Sequence, residues 1–92
     1  MAEVKMSFDT QAGSMEELRP RLEKAFQEQF PGGMLQRKWN GDVLELSGPG
    51  AQGAIRLDGG RLVGEAQLSP PASLMKGIIE QKVSAALKKA LG

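Results

Sequence analysis

LQRKWNGDVLEL, residues 35–46, is the stretch that decides the fold. Apolar and polar residues alternate on both sides of Asn40-Gly41, as in two short strands each half-buried in a sheet. Asn-Gly is the preferred pair for a two-residue type I′ loop, whose central positions both take φ > 0. With Asn40-Gly41 as the loop, Trp39 faces Asp42 and Arg37 faces Leu44. Leu35, Leu44 and Leu46 carry the same face inward, and Arg37 is the one charge on it. The expected arrangement is a diagonal Arg37–Asp42 pair, with the arginine stem against Trp39. The same three residues are the candidate binding residues. An Arg–Trp anchor at the rim of a sheet suits a carboxylate or a partner segment.

Working outward, the next hairpin has the same form. Residues 51–58 and 61–68 are two strands joined at Gly59-Gly60, which has free access to φ > 0. A two-residue loop there sets Asp58 opposite Arg61, Leu57 opposite Leu62 and Ile55 opposite Gly64. Leu57, Leu62, Ile55 and Leu68 then share the inner face. Arg56, Glu65, Gln52 and Gln67 share the outer one, with Arg56 and Glu65 as a diagonal surface ion pair. Gly48-Pro49-Gly50 turns between the hairpins. Val4, Met6 and Phe8 alternate with Glu3, Lys5 and Ser7, which adds a first strand before the hairpins.

Two helices complete the chain. Ser14-Met15-Glu16-Glu17 fits a capping box, with the Ser14 hydroxyl on the Glu17 N–H and the Glu17 carboxylate on the Ser14 N–H. Met15, Leu18, Leu22, Ala25, Phe26 and Phe30 follow at helical spacing. Pro20 interrupts this pattern, and the expectation is one helix with local distortion there. Pro31-Gly32-Gly33 ends it. After Ser69-Pro70-Pro71, residues 72–91 form the second helix, with Met75, Ile79, Val83, Ala86, Leu87, Ala90 and Leu91 as its apolar stripe. The order β-α-β-β-β-β-α predicts an α+β fold, an antiparallel sheet with both helices on one face, in a single domain over residues 1–92.

Gly53, Gly64 and Ala66 fall on the inner face of the sheet. Small residues at such positions mark either a helix packed close against the strands or a cavity between sheet and helix. They are the candidate cavity-lining residues.

Composition excludes most chemistry. The chain has no cysteine and no histidine, which removes disulfides, thiolate metal sites, cysteine nucleophiles and the commonest general acid–base side chain. Asp9, Asp42 and Asp58 each lie in or beside a turn, where aspartate caps local backbone. No nucleophile–base pair, paired carboxylates or metal-ligand cluster can be assembled, so no catalytic residue, metal or cofactor is expected. The net charge of +1 gives no field for nucleic acid. Residues 48–53 have G-x-G-x-x-G spacing but lead into a strand, so they are not a dinucleotide fingerprint. The N-terminus lacks the pattern of a signal peptide, and no window is long and apolar enough to span a bilayer. A cytoplasmic location is the expectation.

Trp39-Asn40-Gly41-Asp42-Val43-Leu44 resembles the W-x-G-D-x-L hairpin of the small polyhydroxyalkanoic acid system proteins of bacteria. Gly53-Ala54-Ile55 is similar to the family's following strand. Leu74, Lys76, Ile79, Glu80, Val83 and Leu87 are similar to its closing helix. The resemblance runs from about Met15 onward and implies a context, carbon-storage granules, with no catalytic residues to carry over. It points to a non-enzymatic accessory protein of polyhydroxyalkanoate metabolism, with the granule surface or granule proteins as partners. Two other readings stand beside it. One is a small lipid- or acyl-binding module with a cavity beneath Gly53, Gly64 and Ala66. The other is an interaction or homodimer module using a sheet edge or the Trp39 rim.

Overall fold

Alternating sequences become strands here because one face is covered and the other meets water. The computed structural model describes residues 2–33 and 35–91. Strand β1 (Ala2–Asp9) is followed by helix α1 (Met15–Gln29), strands β2 (Gln36–Asn40), β3 (Val43–Gly48), β4 (Ala51–Asp58) and β5 (Arg61–Leu68), and helix α2 (Lys76–Leu91). The sheet is antiparallel throughout, in the order β1-β5-β4-β3-β2. The expected α+β class and element order hold. Leu22 and Phe26 of α1 and Val83 and Leu87 of α2 share one core with Leu44, Ile55 and Leu62 of the sheet, so both helices cover the same face.

The outer face is polar and largely self-paired. Lys5 bridges Glu3 at 3.2 Å, Arg56 bridges Glu65 across the predicted diagonal, and Lys38 stands opposite Glu45. Neighbouring charges of opposite sign leave this face with little net field.

The first hairpin differs from expectation by a two-residue slide in register. Asn40 pairs with Val43, Trp39 with Leu44 and Arg37 with Leu46. The loop is therefore Gly41-Asp42. Gly41 has φ 61°, and no described residue other than glycine has positive φ, so the turn is of the II′ kind, with glycine at its first central position. A slide of two residues keeps every side chain on its own face. It moves Asp42 from its place opposite Trp39 into an exposed turn and sets Leu44, fully buried, beside Trp39. It also sets Lys38 opposite Glu45 outside, where opposite charges favour the pairing. These gains outweigh the local preference of Asn-Gly. The second hairpin has the expected register, with φ of 58° at Gly59 and 81° at Gly60.

Helix α1 runs unbroken through Pro20. Pro20 and Glu16 are both exposed, so the Glu16 carbonyl that the proline leaves without an N–H faces water, and the cost is reduced. The Ser14 hydroxyl accepts from the Glu17 N–H at 3.3 Å, as expected. The Glu17 carboxylate returns one residue further out, to the N–H of Gly13 at 3.0 Å.

The second helix begins later than its sequence suggests. Residues Ala72–Met75 make a 3₁₀ turn, and α2 proper starts at Lys76. Met75, expected in the buried stripe, is half exposed, and the stripe is buried only from Val83 onward, with Ile79 partly covered.

Candidate functional site

Two features of the inner face set up the site. One is a polar cluster at the β2 edge, and the other is an apolar cleft a few residues away along the same strands.

The polar cluster is organised by Glu23. Arg37 and Trp39 lie two apart on β2 and so project to the same side. The Arg37 Nε–H donates to Glu23 Oε2 at 2.9 Å, and the Trp39 indole Nε1–H donates to Glu23 Oε1 at 2.7 Å. Arg19, one turn before Glu23 on α1, lies over the Trp39 ring at 4.9 Å from its centroid. Burial acts to raise the Glu23 pKa, but the Trp39 and Arg37 hydrogen bonds and the Arg37 and Arg19 charges outweigh it. The carboxyl is held below its usual range. The expected Arg37–Asp42 pair does not form, because the register slide carries Asp42 into the turn. Arg37 and Trp39 are thus brought together and Asp42 is set apart. Glu23 takes the place expected of Asp42 and fills the anchor that a ligand carboxylate or partner segment would otherwise use. The sequence signal for it was the i, i+4 spacing of Arg19 and Glu23 on the polar flank of α1.

The cleft lies between the sheet and the start of α2. It has a volume of about 440 Å³, within the range of small-molecule sites, roughly 300–1,000 Å³. Gly53, Ala66 and Leu46 form its floor. Phe30 and Leu35 stand on the α1 side, and Ile79 and Val83 on the α2 side. The cleft falls where the core divides in two. The main core lies under the helices, and Val4, Leu68 and Ala72 form a second cluster at the other end of the sheet. Ile79 packs against both.

The three predicted cavity residues separate. Gly53 and Ala66 line the cleft, whereas Gly64 does not. A Cβ on Gly64 would stand 3.0 Å from Ile55 Cδ1 and 3.2 Å from Leu87 Cδ1, so that space is filled by close packing of α2. At Gly53 a Cβ would lie 2.6 Å from the Glu65 carbonyl oxygen. The backbone of β5 comes so near that only glycine fits.

The cleft walls are apolar, and among the described residues the polar side chains on them are Gln29, Gln52 and Lys82. Lys82 Nζ donates to the Gln29 carbonyl at 3.0 Å and lies 5.7 Å from the Phe30 ring centroid. Lys82 was legible only as an interruption of the stripe, between Ile79 and Val83. Leu74 and Met75 of the 3₁₀ turn and Ile78 in the first turn of α2 are exposed to 84, 51 and 50 %; Met75 and Ile78 also line the cleft. Among the described residues, no group of histidine, cysteine or acidic side chains is placed to hold a metal ion, and no helix is long and apolar enough to cross a membrane.

A family described as "Putative polyhydroxyalkanoic acid system protein" matches the chain over residues 6–91. The match spans nearly the whole sequence, and the chain belongs to that family. A search of curated proteins gave no match.

Proposed function

We propose that this member of the polyhydroxyalkanoic acid system family is a non-enzymatic accessory protein that works in the cytoplasm at the surface of polyhydroxyalkanoate granules. The observation that carries this reading is the exposed ridge of Leu74, Met75 and Ile78. Single exposed apolar residues are ordinary, but three large ones within one and a half turns make a patch suited to an apolar surface. Lys76 lies within the ridge and is itself exposed, which adds attraction to an anionic coat. The absence of histidine and cysteine supports a role in binding over one in catalysis.

Fractionation of a polymer-producing strain tests the proposal. The chain is expected in the granule fraction, and a Leu74→Ser/Ile78→Ser variant is expected to move to the supernatant while remaining folded. Recovery of the wild-type chain away from granules, or retention of the variant on them, refutes it.

A further inference from the structure

The geometry points to the 440 Å³ cleft as a binding site for the hydrocarbon chain of a monomeric medium-chain carboxylate, with its head group at Lys82. This goes beyond the granule role and stands on the cleft alone.

Shape restricts the occupant. Leu46, Leu68, Ala72 and Val83 border the cleft from within the packed core and are at most 7 % exposed. The open space above them, about 440 Å³, is of small-molecule size. It is about the volume of a single turn of an α-helix 10–12 Å across, too little for a helical segment. An unbranched acyl chain of medium length fits it. The floor is backbone and methyl groups at Gly53 and Ala66, so a chain can lie directly on the strands. Ordering a flexible chain has an entropic cost, and an already formed apolar slot reduces the rest of the penalty.

Charge restricts the head group. Among the described residues, Lys82 is the one charged residue that lines the cleft, and no aspartate or glutamate does. Its ammonium is already held in place by the Gln29 carbonyl and the Phe30 ring. That uses one of its three N–H donors and leaves two for an incoming carboxylate.

The probe is decanoate, titrated below its aggregation concentration against a dansylated fatty acid bound to the full chain. Saturable displacement with one probe per chain is expected. Lys82→Gln should weaken decanoate about fivefold, the size of a partly exposed ion pair, and leave decanol unchanged. Ala66→Leu should fill the floor and abolish binding of both without lowering the melting temperature. Ala51→Leu, on the same wall, serves if Ala66→Leu does not fold. Phosphatidylglycerol vesicles should not strip the probe from the protein. Several outcomes overturn the proposal. They are no displacement, displacement that survives both filling variants, an equal Lys82→Gln loss for decanol, preference for vesicles, or a dimer by light scattering whose dissociation is needed for probe entry.

Discussion

Replacing Glu23 with glutamine tests the polar cluster at the β2 edge. The side chain keeps its shape, and its amide oxygen still accepts from Trp39 Nε1. What is lost is the negative charge facing Arg37 at 2.9 Å and Arg19 over the neighbouring indole. Arg37 is only 19 % exposed, whereas Glu23 is 38 % exposed. The guanidinium thus loses its partner in a partly dry site, while water screens the other half of the pair. Hydrogen bonds to charged groups contribute about 1.5–3 kcal/mol when buried, and exposed pairs under about 1 kcal/mol. The intermediate burial here places Glu23→Gln near 1–1.5 kcal/mol of lost stability. For a domain of this size that is a fall in melting temperature of about 4–12 °C.

The pH dependence follows from the direction of the Glu23 shift. Its folded pKa lies below the ordinary value of 4.5. The stabilisation is therefore complete above that value and is lost as pH falls through the folded pKa. Thermal melts followed by circular dichroism, with Trp39 as the sole tryptophan reporter, should show the full difference between wild type and Glu23→Gln at neutral pH. The difference should shrink steadily below pH 4.5. In an Arg37→Met background the same substitution should cost less than half as much, because the two residues act as one unit. Equal melting temperatures at neutral pH, or a difference unchanged in acid, would show that Glu23 does not organise the cluster.

Further substitutions probe the packing around the cleft. Gly64→Ala should destabilise by about 1–3 kcal/mol in urea unfolding, because its Cβ would press on the side chains of Ile55, Leu87 and Met6, which must shift to admit it. Gly53→Ala should cost at least as much, since the obstacle is the Glu65 carbonyl, which is backbone and cannot turn aside. Gly41→Ala forces a positive φ on a side chain and should lose about 1 kcal/mol, whereas Asp42→Asn, exposed in the same turn, should be neutral.

Most of the fold was legible because its signals are local. The alternation of Val4, Met6 and Phe8, the Gly59-Gly60 turn and the Ser14 cap each act over a few residues, and each appears where the sequence puts it. The hairpin register was not legible from Asn40-Gly41 alone. A two-residue slide costs one favoured turn type, sets Leu44 beside Trp39 and Lys38 opposite Glu45, and frees Asp42 to the turn, and only the assembled sheet weighs those together. Site residues divide in the same way. Arg37 and Trp39 could be placed on one face by period two, but Glu23 reaches them from α1 across thirteen or more residues. Gly53, Gly64 and Ala66 looked alike in sequence. Where Leu87 of α2 presses on the sheet, Gly64 is filled; where α2 gives way to the 3₁₀ turn, Gly53 and Ala66 lie open.

The most direct test of the cleft is its position in solution. Nitrogen-labelled protein titrated with decanoate should show amide shifts at Gly53, Ala66, Ile79 and Lys82. The amides of Gly64 and of the outer-face residues Arg56 and Gln67 should stay in place. Shifts centred on the outer face or spread evenly over the chain, or none at saturating decanoate, would contradict the account.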